Sequence, residues 1–136
     1  MFVQAYNLLR EILCDETLNA YIFSETGKHL VILDAGAQIT SPSAKISLIN
    51  SSITYSHNSK QEANYRISFA LPFWGTDALE KSHHFLDIAI MAFFNHELGA
   101  EYSLKNEVLR INPTIEEETE NELWTVTLDV AVSIFI

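Results

Sequence analysis

The chain has 136 residues, 48% of them apolar, and a formal charge of -10 from 18 acidic against 8 basic side chains. That length suits one domain, and that apolar content supports a packed core and excludes a disordered chain. The charge repels phosphate backbones and anionic lipid surfaces, which excludes sequence-independent nucleic-acid binding and peripheral membrane attachment.

Residues 2–13 read as a helix, because Phe2, Tyr6, Leu9 and Leu13 recur at i, i+4, i+7 and i+11. Cys14, the one cysteine, follows Leu9, Ile12 and Leu13 and reads as a small core residue. A single thiol forms no intrachain disulfide and no thiolate metal cluster, which fits a reducing compartment. Residues 15–17 offer a break and a cap, and residues 18–23 add a short helical turn before Gly27 punctuates. Residues 30–33 are an unbroken apolar run, consistent with a buried strand or a helical turn. Asp34, Gly36, Ser41, Pro42 and Ser43 give residues 34–43 the chemistry of a loop.

Three strands follow. Ile46, Leu48 and Asn50 alternate with polar neighbours in the first, and Ile53 and Tyr55 in the second. Residues 57–64 are polar apart from Ala63 and read as a hairpin loop. Tyr65, Ile67, Phe69 and Leu71 then alternate with Arg66, Ser68 and Ala70, and Pro72 ends the run.

Thr76 reads as the N-cap of a long helix over 77–97, with Asp77 and Glu80 at its positive end and Gly99 as its stop. Phe85, Leu86, Ala89, Ala92 and Phe93 form one apolar face. Ile88, Met91 and Phe94 lie on the side that also carries His84, Asp87 and Asn95. A helix on one sheet needs one apolar face, so this excess predicts burial on a second side, by another helix or by a second subunit. Residues 108–111 begin another strand before Pro113, and Glu116, Glu117, Glu118 and Glu120 form an acidic loop. Alternating Val126, Leu128, Val130, Val132, Ile134 and Ile136 make the closing strand 123–136. At the usual rise it spans about 45 Å, long enough that part of it pairs with another chain or bends at a bulge. The expected fold is α+β: a mostly antiparallel sheet with one long helix packed on it and an N-terminal helix, in a single domain over 1–136.

No catalytic or cofactor motif emerges. His83 and Asp87 share a helical face at i, i+4, but the second His and intervening Glu of a zinc-protease helix are missing. His96 lies about 140° round the helix from His83. The acidic run has no glycine and no alternating spacing, unlike a calcium loop. Neither a nucleophile elbow nor a phosphate loop occurs. The reading is therefore a non-enzymatic protein without metal or cofactor. Phe73 and Trp74 are candidate interface anchors, with core packing as the alternative; Trp124 reads as core. The candidate interface set is Phe73, Trp74, Ile88, Met91, Phe94, Glu116, Glu117, Glu118, Ile134 and Ile136. With no basic-then-apolar leader and no stretch long enough to span a bilayer, the expected location is cytoplasmic.

The order of elements resembles the tail terminator, or tail completion, proteins of tailed phages and prophages. The resemblance runs over most of the chain. It comprises the N-terminal helix, the hairpin from Ile53-Thr-Tyr55 to Tyr65-Arg-Ile-Ser-Phe-Ala-Leu71, and the Gly75 turn into one long helix. It continues through Asn112-Pro113 and the acidic stretch into Glu122-Leu-Trp124 and the closing strand. It implies a structural protein that forms a homo-oligomeric ring, commonly a hexamer, on the head-proximal end of the tail tube. Such a ring ends tube polymerisation and presents a surface to the head. The implied partners are other copies of the chain, the tail tube protein and a head-completion or connector protein. DNA would pass through without specific binding, past an acidic lumen, and the final location would be the virion tail. The charge also fits a second reading, an acidic immunity-type inhibitor of a basic toxin or nuclease.

Overall fold

A computed structural model describes residues 2–33, 42–54, 60–73, 76–98, 108–118 and 123–135. Within them the chain runs α1 (Phe2–Ile12), α2 (Glu16–Thr26), β1 (Val31–Leu33), β2 (Ser43–Thr54), β3 (Lys60–Leu71), α3 (Ala78–Leu98), β4 (Val108–Glu118) and β5 (Leu123–Phe135). The strands form one five-stranded sheet in the order β1-β2-β3-β5-β4. Only the β1–β2 pair is parallel; the other neighbours are antiparallel. The α+β class is as the periodicities predict.

The helices cover one face of the sheet. Tyr65, Ile67, Phe69 and Leu71 of β3 and Val126, Leu128, Val130 and Val132 of β5 are buried against them. Arg66, Ser68, Thr125, Thr127 and Asp129 alternate onto the opposite face, which stays in contact with solvent. From α3, Phe85, Ala89, Ala92 and Phe93 enter the core, with the Phe85 ring edge-on to Phe69 at 4.9 Å. The second side of α3 is met by α2, and α1 also packs against it. An intrachain helix therefore accounts for much of the apolar excess on α3: Ile88 is partly buried against the core, whereas Met91 remains 53% exposed.

Several expectations are corrected. In α1 the buried stripe is Ala5, Leu8, Leu9 and Ile12, rotated from the one anchored on Phe2 and Tyr6; Phe2 is exposed and Tyr6 half-buried. Cys14 is exposed rather than core, because the helix ends at Ile12 and the chain turns towards solvent there. α2 is a full helix, not a short turn. The Asp15 side chain accepts from the Leu18 amide at 3.1 Å, and Gly27 closes the helix at φ 72° while its N–H donates to the Phe23 carbonyl. The Asp77 carbonyl accepts the Lys81 amide, so Asp77 rather than Thr76 sits at the entry to α3. The proposed stop Gly99 lies outside the described residues.

The strands are longer than the sequence implies. β2 is continuous through both short strand segments, with a register irregularity between Leu48 and Asn50. β3 already begins at Lys60, inside the expected hairpin loop. β4 continues past Pro113 to Glu118, so Glu116, Glu117 and Glu118 belong to a strand and not to a loop. Pro113 is tolerated because β4 is an edge strand among the described residues. The length of β5 also has an intrachain explanation. It is paired by β3 from Trp124 to Phe135 and by β4 from Leu123 to Ser133, and is a central strand of the sheet.

Phe69 and Phe85 are both fully buried where α3 crosses the central strands. Truncating either to Ala should cost about 3–5 kcal/mol, read as a lower urea midpoint with an unchanged slope. Gly27→Ala should cost about 1 kcal/mol through its left-handed φ alone, since nothing lies within 4 Å of an added Cβ. A neutral result in the same titration would contradict this account of the α2 terminus.

Candidate functional site

The histidines are used within the helical layer. His83 Nδ1 donates to the Leu79 carbonyl, four residues back on its own helix, at 2.8 Å. His84 stacks on Tyr21 of α2, with ring centroids 5.0 Å apart and planes 25° apart. Tyr21 in turn donates its hydroxyl to the Lys81 carbonyl at 3.2 Å. Lys81 reaches Glu25 at 3.1 Å and Asp77 at 3.9 Å. With Glu80, these residues line an open cleft of about 380 Å³ between α2 and the start of α3. Burial, followed by the charges of Glu25, Asp77 and Glu80, raises the Tyr21 phenol above its ordinary pKa. The hydrogen bond to Glu25 raises the Lys81 ammonium likewise. The cleft thus clasps α2 to α3. Among the described residues, no group of three or more His, Cys, Asp or Glu side chains is placed to hold a metal.

Of the candidate interface residues, Phe73, Ile88 and Met91 have described side chains. Phe73 is 3% exposed and meets Tyr21 edge-on at 6.3 Å, so the chain itself buries it. Ile88 is partly buried, and Met91 is the member whose side chain stands in solvent. Phe94 falls on α3, Glu116, Glu117 and Glu118 on β4, and Ile134 on β5 opposite Gln61. Trp74 and Ile136 lie outside the described residues. Trp124, expected in the core, packs partly buried against it.

A different apolar surface stands out along β2. Leu48, Ile49 and Ile53 are 49%, 45% and 43% exposed. Leu48 lies opposite Tyr65, whose hydroxyl donates to the Phe2 carbonyl at 3.5 Å, so the exposed start of α1 borders this surface. In the sequence these residues look like ordinary strand alternation. The exposure is confined to β2, since Tyr65 and Ala63, which face this stretch on β3, are buried.

On the solvent face of the sheet, Lys45, Glu62, Arg66 and Asp129 are the charged residues with described side chains. The acids Glu11, Glu16, Glu25, Asp77, Glu80 and Asp87 all belong to the helices and their ends. Arg66 and Asp129 lie directly opposite in register and join through two bonds of 2.8 and 3.2 Å.

No family model and no curated protein matches this sequence. Among solved structures there is a match with full-length correspondence. The fold is shared with a chain of a gene transfer agent virion. That structure is of the virion of the native gene transfer agent particle, and the likeness covers 96% of this chain and 91% of that one. The TM-score is 0.51 at 14% identity, so what is shared is the fold. No described helix is long and apolar enough to cross a membrane.

Arg66 holds the Asp129 carboxyl below its usual pKa, chiefly through the hydrogen bond. A depressed carboxyl stabilises the fold above the unfolded-state pKa, about 4, and that contribution is lost as pH falls through the folded-state value. Arg66→Gln should therefore flatten the acid limb of the stability–pH curve below about pH 4. Both groups are more than a third exposed, so the loss should stay under about 1 kcal/mol at neutral pH. An unchanged acid limb would refute the assignment.

Proposed function

We propose that this protein is a structural component of a phage or prophage-derived particle that caps the tail tube as a homo-oligomeric ring. In that role it ends tube polymerisation and contributes to the surface that joins the head. The observation that carries the reading is the correspondence of nearly the whole chain with a chain of a gene transfer agent virion. The order of elements that resembles tail terminators supports the finer assignment. So does the exposed apolar strip on β2, which a solitary chain leaves wet.

The chemistry agrees with a non-enzymatic part. The residues with acid–base potential, His83, His84 and Asp87, are exposed, and the two histidines are engaged by their own helix and by Tyr21. A charge of -10 suits a ring through which DNA slides without adhering, since an acidic lumen repels phosphates. The implied partners are further copies of the chain, the tube protein and the head connector, in an assembly that forms in the cytoplasm and ends in the virion tail.

Purified protein should show the mass of a ring, a hexamer on this reading, by light scattering, alone or with the cognate tube protein. Negative-stain images should place it at one end of each tube. A mass that stays monomeric at high concentration and with the tube protein would overturn the proposal. A tight, salt-sensitive one-to-one complex with a basic partner would point to an inhibitor instead. His83→Ala with His84→Ala should leave tube capping intact, and its loss in a folded double variant would reopen an enzymatic role.

A further inference from the structure

Among the described residues, the sheet has two open borders of matching direction. On one side β1 pairs only with residues 43–45 of β2, and among the described residues no strand lies against residues 46–54. On the other side β4 has β5 as its one strand neighbour among the described residues. Antiparallel pairing alternates from β2 through β3 and β5 to β4, so β4 runs opposite to β2. A copy placed beside this one in the same sheet plane would therefore set its β4 antiparallel to β2.

The two borders also match in chemistry. Residues 46–54 contain no charge and no proline, which are the usual guards of an edge, and they expose Leu48, Ile49 and Ile53. The charge on β2 is Lys45, at the N-terminal end of this stretch; β4 ends in Glu116, Glu117 and Glu118. Antiparallel pairing brings those two ends together. The registers Lys45↔Ser68, Ser68↔Thr127 and Glu116↔Thr125 put Lys45 and Glu116 on the same face of the sheet. Pro113 removes one donor from β4, which thins the new ladder without closing the edge.

We propose that residues 46–54 of β2 receive the β4 edge of a second copy, so that the sheet continues from subunit to subunit. This deepens the ring reading and rests on it. The contact is head-to-tail, as a closing ring needs, and main-chain hydrogen bonds supply its affinity while Leu48, Ile49 and Ile53 lose their exposure.

Disulfide mapping in a Cys14→Ser background tests it, because two thiols link only when their Cβ atoms come within about 4.5 Å. Ser52→Cys on β2 is mixed with Arg110→Cys, Asn112→Cys or Thr114→Cys, all on the open face by register, or with Ile115→Cys on the helical face. Under mild copper oxidation at least one open-face mixture should give a linked dimer. Ile115→Cys should give none, and Ser52→Cys alone should give none. Ile49→Lys should shift the scattering mass from ring to monomer with an unchanged melting temperature. A ring of normal mass without cross-links, or efficient self-linking of Ser52→Cys, would overturn the edge pairing while leaving the ring reading intact. A chain that stays monomeric with the tube protein would overturn both.

Discussion

Burial of one face of the central β3–β5 pair beneath α3 is the constraint on which the rest of the structure depends. Ile67, Phe69 and Leu71 lie opposite Leu128, Val126 and Trp124, and Phe85 and Phe93 from α3 close over this surface. Strand residues alternate between faces, so a slip of one residue in this pair would turn the apolar row into solvent and the Arg66–Asp129 row into the core. Register is therefore strongly enforced at the centre and less so towards the borders. β2 shows the difference: it pairs cleanly from Ser43 to Leu48, then shifts before Asn50, within a stretch exposed from Ser47 onward.

Once α3 is held on the central pair, the other helices have one place to go. α2 is bounded by Asp15 and Gly27 and meets α3 through Tyr21, His84, Lys81 and Glu25. α1 closes the layer with Leu8, Leu9 and Ile12. Among the described residues, the helices then shield one face of the sheet and leave its polar face and both borders without a further strand. Of the two histidines at the start of α3, His84 joins Asp77, Glu80 and Lys81 in a helix–helix clasp, while His83 bonds the Leu79 carbonyl of its own helix. The exposed apolar residues Leu48, Ile49 and Ile53 lie instead on the sheet.

Much of this was legible beforehand. Strict alternation at 65–71 and 126–136 marked the two strands that become the sheet centre, and the wide apolar arc of 77–97 marked the helix that covers them. Both are strong local signals because a half-buried strand and a core-facing helix each impose their own period. The candidate site was legible in kind but not in place. Phe73 reads equally as anchor or core, and only the approach of Tyr21 decides for core. Leu48 and Ile53 look like buried strand residues; their exposure depends on what packs over β2 in the fold, which no local pattern records.

The sequence by itself determined the α+β class, the identity of the central strands and long helix, and an acidity that repels phosphate. These follow from periodicity and charge, which are properties of neighbouring residues. Only the tertiary structure decided that the long β5 is paired on both sides within its own chain, that Glu116, Glu117 and Glu118 extend a strand, and that among the described residues β4 and most of β2 border the sheet. Strand neighbours are chosen by contacts between residues far apart in the chain, so an overlong strand looks identical in sequence whether its partner is itself or another copy. Here the unmet pairing lies at the borders of the sheet rather than in β5 at its centre.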